Sequence, residues 1–311
     1  MQNSMEKPKA LPFITIAILT KNAKKDIEVT LQKLREIDYP KDKIETILVD
    51  NGSTDGTHKM VERKYKNVKI ILLDKNYGMS ALNNAFKIAK GEYCMVFDDD
   101  SYIEKNGLKK VIKEFGNDAL LGILACNIIN PYDNSSEFKY MPKAGRSIKW
   151  CDFIGGGVAI KTEIFNKIGY FSQDILIYGH EADLAIRALN NGIGIKFAPS
   201  IHVYRIVMPN AMNATRMKLS IRNFLGIFWR YTSIPLAFSA TCGILIEYAI
   251  LAVMHRLPVA YFKGIGLFIK NIPFVIKNRK PIKKSVERAW SEDYPITMRN
   301  FCRRMLKIYS P

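Results

Sequence analysis

Residues 93–100 read YCMVFDDD, five strand-forming apolar residues directly before three carboxylates. The same order, an apolar run and then a polar loop, occurs three times earlier in the chain. The earlier runs are Phe13–Leu19, Ile44–Val49 and Val68–Leu73, followed by the loops TKN, DNGSTD and DKNYG. Between these runs, apolar residues recur at helical spacing over Lys24–Ile37, Thr54–Lys66 and Met79–Lys90. This alternation predicts a parallel sheet covered by helices, with ligands bound beyond the carboxyl ends of the strands.

The four polar loops should therefore meet at one edge of the sheet, where they bring several carboxylates together. Each loop alone has an ordinary explanation as turn chemistry, and an acidic run also suits a solvated turn or a helix N-terminus. Asp98, Asp99 and Asp100 supply the hard oxygen ligands that Mg²⁺ or Mn²⁺ prefers. Because an acidic edge repels bare phosphate, we expect a phosphorylated ligand to bind there through a divalent cation.

Composition and motifs exclude several other classes of protein. The 48% hydrophobic and 24% charged residues of the 311-residue chain exclude wholesale disorder. The first polar loop has no GxGxxG and the chain has no GxxxxGK[ST], which disfavours a dehydrogenase-type dinucleotide fold and a P-loop enzyme. Five scattered cysteines without CxxC, and histidines without HExxH spacing, argue against a disulfide framework, a zinc finger and a zincin.

Six segments together resemble the family 2 inverting glycosyltransferases of GT-A fold, including the surface-glycan and rhamnosyltransferase-like members of bacteria and archaea. The segments, in the family's order over roughly residues 13–200, are ITIAILTKN, ILVDNGSTDGT, NYGMSALNNAFKIAKGEY, VFDDDS, GGGVAIKTEIFNKIGYF and HEADLAIRALNNG. The resemblance implies an α/β fold of GT-A type, with a mostly parallel nucleotide-binding sheet flanked by helices.

The resemblance also implies a donor site. The residues that would contact a nucleotide-sugar are Thr20, Asn22, Asp50, Asp55, Asn76, Asn84, Asp98 and Asp99. A carboxylate at the position of Asp50 can accept the imide N–H of uracil or thymine, which suggests a UDP- or dTDP-sugar. Asp98 and Asp100 would form the DxD pair that holds Mg²⁺ or Mn²⁺, and this cation would neutralise charge on the leaving diphosphate.

The segment HEADLAIRALNNG, residues 180–192, has the pattern of a helix that ends at Gly192. The resemblance places Glu181 at the position of the catalytic base, which takes the proton of the acceptor hydroxyl. Asp183 belongs to the same catalytic motif, and we expect it to orient loops or Arg187. The structural alternative is a helix N-terminus with favourable acidic residues.

One position departs from the family pattern. Where many members have a histidine near the metal, the segment APSIHVYRIV has Arg205, and His202 lies three residues earlier. Either His202 is the third metal ligand or Arg205 pairs with diphosphate oxygens. Upstream, the polar segment 130–147 is interpreted as a long loop with a possible role as a lid. The glycines of residues 155–157 would let a ligand approach the backbone closely, and a bulged strand is the alternative.

The net charge of +18 is concentrated in the C-terminal third. Residues 211–311 contain 17 Lys and Arg against 4 Asp and Glu, or +13, whereas residues 1–210 carry +5. This asymmetry predicts a polar tail over 1–10, a catalytic domain over 11–210 and a basic, apolar helical region over 211–311. Residues 233–254 are long enough to span a membrane, although a half-immersed hairpin fits equally well.

Residues 258–280 combine a broad apolar surface with lysines at every seventh position, Lys263, Lys270 and Lys277, and Pro273 should kink or break this helix. A basic amphipathic helix of this kind is typical of an anionic membrane surface. A helix packed on the catalytic domain with solvated lysines is the alternative. Nucleic-acid binding has no supporting motif, and we expect none.

The sequence therefore predicts an enzyme at the cytoplasmic face of the cell membrane, peripheral or monotopic. It would transfer a sugar to a hydroxyl of a lipid-linked or surface-glycan acceptor, with the help of a metal and a carboxylate base. Two alternatives stay open: a metal-dependent nucleotidyltransferase and a non-catalytic scaffold of the same fold.

Overall fold

The computed structural model describes residues 10–137, 148–149, 152–205 and 212–293. Within these residues nine strands form one sheet in the order β3-β2-β1-β4-β8-β6-β9-β5, with β7 paired to β9. The strands are β1 (Ile14–Thr20), β2 (Ile44–Asp50), β3 (Val68–Leu72), β4 (Tyr93–Asp98), β5 (Ser101–Ile103), β6 (Leu121–Ile129), β7 (Ile148–Lys149), β8 (Gly157–Lys161) and β9 (Gly194–Arg205).

The first four strands confirm the parallel arrangement that the sequence predicts. β1 pairs in parallel with β2 and β4, and β2 pairs in parallel with β3. The connecting helices are α1 (Lys24–Arg35), α2 (Thr57–Lys64) and, after a 3₁₀ turn over Gly78–Leu82, α3 (Asn83–Ile88). The four polar loops after β1, β2, β3 and β4 consequently lie at the same edge of the sheet.

The second half of the sheet is mixed. β8 runs antiparallel to both β4 and β6, β9 is parallel to β6, and β5 is antiparallel to β9. The antiparallel β8 begins at Gly157, so its start lies beside the carboxyl end of β4. Helices α4 (Gly107–Gly116), α5 (Ile164–Ile168) and α6 (His180–Asn190) complete this half.

Two apolar clusters fill the two faces of the sheet, and a third joins it to the C-terminal helices. One face contains Ile16, Phe97 and Val203, and the other contains Val96 and Phe197. The third cluster combines α6 with the C-terminal helices. These are α7 (Ala214–Tyr231), α8 (Ile234–Met254), α9 (Pro258–Lys277) and α10 (Lys284–Asp293).

Helices α8 and α9 are both long and apolar enough to cross a membrane, and only 33% and 22% of their most apolar windows is buried. Large apolar side chains on them are exposed, including Phe238, Val253 and Phe262. Pro273 was expected to kink or break the helix over residues 258–280, and it does not break it, because α9 continues through Pro273 to Lys277.

Two other expectations concern segments outside the described residues. The boundary predicted near residue 210 falls between 205 and 212, and most of the predicted lid, residues 138–147, is also outside them. The polar tail over 1–10 is described only at Ala10.

Candidate active site

The register of the parallel strands brings their polar ends together. Thr20 pairs with Asp50 across β1 and β2, and Leu19 pairs with Asp98 across β1 and β4. The Thr20 hydroxyl donates to Oδ2 of Asp99 over 2.9 Å, and the same oxygen accepts from the Lys21 amide over 3.2 Å. Asp99 therefore joins the ends of β1 and β4.

Asp50 ends β2 with one carboxylate oxygen available. Its side chain is buried, and Oδ1 accepts from the Ser53 amide over 2.7 Å. In the part of the chain that the structure describes, Oδ2 has no hydrogen-bond donor, and Nδ1 of His58 lies 3.5 Å away. A buried acceptor without a donor is costly, so Oδ2 is a candidate ligand contact.

Asn22 and Asp55 hold the first two loops together. Asn22 has a left-handed backbone with a φ of 53°, and its side-chain oxygen accepts from the Thr54 amide over 2.7 Å. Asp55 accepts from the Thr57 amide over 3.0 Å and from the Lys24 amide over 3.3 Å. Slight burial works to raise the pKa of Asp55, but its hydrogen bonds to Thr57 and Lys24 lower it below the ordinary value.

Asn76 and Asn84 line a cavity of about 720 Å³ next to the end of β3. The Asn76 side chain accepts from Asn51 over 2.9 Å and from the Gly78 amide over 2.8 Å, so it shapes the loop. The Asn84 amide donates to the Ala81 carbonyl over 3.0 Å. The described residues that line this cavity do not include the carboxylates after β4.

Arg205, at the end of β9, is inserted among the carboxylates after β4. Its guanidinium contacts Asp98, donates to Oε1 of Glu137 over 2.6 Å, and has Nε 3.6 Å from Oδ1 of Asp100. The side chain of Arg205 is buried. Among the described residues, Nε of Arg205 has no hydrogen-bond acceptor.

The carboxylates after β4 outnumber the Arg205 guanidinium, and the pKa values of Asp99 and Asp100 are raised. Burial raises the pKa of Asp99 to about 6, although its hydrogen bonds with Thr20 and Lys21 oppose the rise. Burial, together with the charges of Asp98 and Asp99, raises the pKa of Asp100 to about 7 despite Arg205. An additional positive charge would therefore stabilise the ionised carboxylates of this cluster.

The carboxylates of Asp98 and Asp100 fit a divalent cation that is bound partly by the protein and partly by substrate phosphates. The described residues contain no preformed cluster of three His, Cys, Asp or Glu side chains that could hold a metal ion. Mg²⁺ commonly binds one or two carboxylates together with substrate phosphates instead of a complete protein cage. Asp98, whose side chain is 33% exposed, and Asp100 fit that pattern, provided that Arg205 shares Asp98.

The glycines before β8 connect this cluster to the start of α6. A Cβ atom at Gly156 would overlap the Arg205 guanidinium, and one at Gly155 would lie 3.5 Å from Oε1 of Glu181. The Gly155 amide is 3.4 Å from the same oxygen. Two consecutive residues thus lie against the acidic cluster and Glu181, and Gly156 has no space for a side chain.

Glu181 lies in the first turn of α6, beside His180. Nε2 of His180 is 3.1 Å from Oε1 of Glu181, and the ring of His180 packs edge-on against Phe171. Burial works to raise the pKa of Glu181, but the charge and hydrogen-bonding capacity of His180 lower it below its ordinary value. Glu181 is thus held as a carboxylate.

Asp183 is fully buried and both its oxygens have partners. Oδ2 accepts from Ser172 over 2.6 Å and from Nη2 of Arg187 over 2.7 Å, while Oδ1 accepts from Tyr231 over 2.8 Å and lies 3.5 Å from Arg230. Its partners belong to α6, the preceding loop and α7. This arrangement ties the sheet domain to the C-terminal helices.

The structure does not bring His202 to Asp98 and Asp100. Residues three apart in an extended strand point to opposite faces of the sheet. Arg205 and Val203 are on the buried face, whereas His202 is half-buried on the face of Tyr204. Arg205, and not His202, consequently contacts the carboxylates.

Sequence reasoning missed Glu137, Asn51 and Tyr231. Each makes its contact over a separation of 25 to 68 residues, and no local pattern marks it. Gly156 was singled out for close backbone approach, but the approaching group is Arg205.

A sequence model described as Glycosyl transferase family 2 matches residues 15–182, which hold the sheet edge, the glycines and Glu181. The chain belongs to glycosyl transferase family 2.

Two relatives that are named as glycosyltransferases are similar to part of this chain. The probable glycosyltransferase YdaM of Bacillus subtilis is 29% identical over 63% of this chain and 51% of its own length. The dolichyl N-acetyl-alpha-D-glucosaminyl phosphate 3-beta-D-2,3-diacetamido-2,3-dideoxy-beta-D-glucuronosyltransferase of Methanococcus voltae is 32% identical over 33% of this chain and 34% of its own length. The chain thus spans about half or less of the length of these relatives.

Solved structures show the GT-A fold. Staphylococcus aureus TarS 1–349 in complex with UDP-GlcNAc has a TM-score of 0.60 at 16% identity, over 93% of this chain and 89% of that one. The mannosyltransferase PcManGT of Pyrobaculum calidifontis, in complex with GDP-Man and Mn²⁺, has a TM-score of 0.57 at 19% identity, over 97% and 88%. Such neighbours bind nucleotide-sugars, and some were crystallised with Mn²⁺.

Proposed function

We propose that this family 2 glycosyltransferase transfers a sugar from a UDP- or dTDP-sugar to a hydroxyl of a lipid-linked or surface-glycan acceptor, with inversion. The observation that carries the proposal is the pair Gly155 and Gly156. The first lies against Glu181 and the second against Arg205 and Asp98, so a base and a charged leaving-group site are adjacent.

The proposed reaction uses Glu181 as its base. The acceptor oxygen attacks the anomeric carbon, its proton passes to Glu181, and the bond from that carbon to the diphosphate breaks to release the nucleoside diphosphate. A lowered pKa supports this role because it keeps Glu181 ionised at neutral pH. A positioned base contributes roughly 10²–10⁴-fold in rate.

In this proposal Asp183 is a positioning residue. It has no exposed surface, and its partners fix α6 against the loop before it and against α7. Holding α6 in place fixes Glu181, which lies in the first turn of that helix.

Asp50 supports a pyrimidine donor. Its buried Oδ2 has no donor within the described residues and can accept one N–H from the base edge of uracil or thymine. Thr20, Asn22 and Asp99 shape the adjoining loop, where they would contact the nucleoside.

Mg²⁺ or Mn²⁺ would be held by Asp98 and Asp100 together with the donor diphosphate. When bound, such an ion neutralises charge on the leaving group. Arg205 keeps Asp98 and Glu137 paired, and its remaining N–H groups can bind phosphate oxygens.

A membrane-bound acceptor is supported by α8 and α9. Val253 and Phe262 are 80% and 68% exposed, and Lys263, Lys270 and Lys277 lie along α9. Apolar side chains beside lysines suit an anionic bilayer surface. The relative from Methanococcus voltae is named for a dolichyl-linked acceptor.

Calorimetry with UDP, dTDP, GDP and CMP, with and without Mn²⁺, tests the donor site. We expect binding of a pyrimidine diphosphate that needs Mn²⁺ and is lost in Asp100→Ala but kept in Asp42→Ala, a change of an exposed carboxylate. Folded protein that binds none of the four nucleotides with Mn²⁺ present would contradict the proposal.

Vesicle flotation tests the membrane surface. Phe262→Asp should reduce flotation with vesicles that contain phosphatidylglycerol, because it puts a charge on the exposed face of α9. Leu120→Asp, an equally exposed change before β6, is the matched control. Equal flotation of the two variants would argue against bilayer contact by α9.

A further inference from the structure

A second cavity, of about 570 Å³, lies away from the acidic cluster, between the sheet domain and the C-terminal helices. Its walls come from four segments: the α5–α6 connection, the end of α6, the end of α7, and the chain from the end of α9 to residue 282. This volume is typical of ligand sites, and such sites are frequent at junctions between structural units.

The charges that line this cavity are mostly positive. Four cationic side chains face one carboxylate, Asp174; the cations are Lys167, Arg187, Arg230 and Lys280. Asp183, buried behind the wall, offsets part of the charge of the two arginines. The balance of two positive charges favours an anionic ligand.

Arg230 is fixed in the wall with one donor available. Its guanidinium donates to Asp174 over 2.6 Å and lies over the ring of Phe274, 5.2 Å from the centroid. The residue is 5% exposed, and among the described residues its Nε–H has no acceptor. An unpaired N–H at this burial is costly unless a ligand or water accepts it.

The backbone around Lys280 is also fixed. The Lys280 amide donates to the Arg230 carbonyl and the Ile282 amide donates to the Tyr231 carbonyl, each over 2.8 Å. The Lys283 amide donates to the Asn190 side chain over 2.9 Å. Lys280 and Lys167 are exposed, and in the described parts of the chain neither pairs with a carboxylate.

We propose that this cavity binds the phosphate group of an anionic ligand. Lys167 and Lys280 would supply mobile charge at the mouth, and Arg230 would supply the fixed donor in the wall. The ligand has two possible sources, a soluble phosphate or a lipid headgroup, and Phe274 of α9 places the cavity beside the helix with the exposed apolar face. This site is separate from the transfer reaction and does not depend on it.

Titration with inorganic pyrophosphate in EDTA, followed by calorimetry, tests the proposal on the full chain. We expect Lys167→Gln/Lys280→Gln to weaken binding by about tenfold or more, because two charge-assisted contacts are lost. Lys25→Gln/Lys113→Gln removes the same charge from exposed lysines elsewhere and should bind as the parent does. Thermal melting confirms that both double variants are folded.

Flotation distinguishes the two sources. Phosphatidylcholine vesicles with and without phosphatidylglycerol are mixed with the parent and both double variants. Loss of flotation only in the Lys167/Lys280 variant assigns the cavity to a lipid headgroup, whereas unchanged flotation with weakened pyrophosphate binding assigns it to a soluble phosphate. If the two double variants behave alike in both measurements, the proposal is overturned.

Discussion

Nε2 of His180 lies 3.1 Å from Oε1 of Glu181, at the first turn of α6. Burial alone would raise the pKa of Glu181, whereas His180 lowers it. The two residues therefore act as one unit, in which the histidine favours the ionised carboxylate.

Removing His180 should move the acidic limb of the pH–rate profile upwards. In His180→Gln the burial that raises the pKa of Glu181 is no longer opposed by His180, so the base is protonated at higher pH. The measurement is kcat/KM against pH, with His255→Gln, an exposed change after α8, as control. An acidic limb at the same pH in both variants would contradict the coupling.

Replacing Arg205 should destabilise the fold and make its stability depend on added cation. In Arg205→Gln the buried Glu137 and the partly exposed Asp98 lose their partner, which costs about 3 kcal/mol of unfolding free energy. Mn²⁺ should restore more stability to this variant than to the parent or to Arg63→Gln, a change of an exposed arginine. Urea unfolding with and without Mn²⁺ measures both effects, and a variant as stable as the parent in EDTA would refute this assignment.

Asp100 should make the metal-free protein less stable as the pH rises. Its pKa is about 7 in the folded state against 3.8 for the free side chain, so the folded state holds a proton that the unfolded chain releases. The penalty is absent below about pH 4, grows up to about pH 7 and is constant above it. The stability advantage of Asp100→Asn over the parent, measured in EDTA, should therefore be larger at pH 8 than at pH 5. An advantage of the same size at both pH values would contradict the raised pKa of Asp100.

Asp183→Asn should reduce stability and leave the pH dependence of catalysis unchanged. The partly buried Arg187 and the buried Arg230 would lose their shared counter-charge, at a cost of about 3 kcal/mol. Asp42→Asn, on the surface, is the control. Under conditions where the variant is folded, a displaced acidic limb in kcat/KM would instead make Asp183 a participant in the reaction.

Gly156→Ala should impair donor binding, because its Cβ would overlap the Arg205 guanidinium and push it from Asp98. Gly116→Ala, at the end of α4, has open space around the new methyl group and should be neutral. Calorimetric titration with UDP compares them. Equal affinity in the two variants would show that the Arg205 position is not needed for the donor.

The sequence predicted β1 to β4 closely because each strand and its helix form one local unit. Apolar runs, turn residues and helical spacing lie within about 30 residues of one another, and the parallel pairing follows from them. The antiparallel β8 was not predicted, since its neighbours β4 and β6 are chosen by contacts distant in the chain.

The site was predictable where side chains follow a strand and unpredictable where partners are remote. Asp50, Asp98 and Asp100 lie at the sheet edge because their strands end there. The link from Arg205 to Asp98 spans 107 residues, and Arg205 rather than His202 faces the carboxylates because side chains alternate along β9. The expected link of Asp183 to Arg187 is one helical turn, but its links to Arg230 and Tyr231 depend on the packing of α7.

Turnover by Glu181→Gln is the most direct test of the proposed base. Parent and variant are given a panel of radiolabelled UDP- and dTDP-sugars with a lipid and glycan extract of the source cells, and nucleotide affinity is measured in parallel. The account predicts unchanged affinity for the nucleoside diphosphate and transfer reduced by roughly 10²–10⁴-fold. Transfer at the parental rate by the folded variant would contradict the assignment of Glu181 as the base.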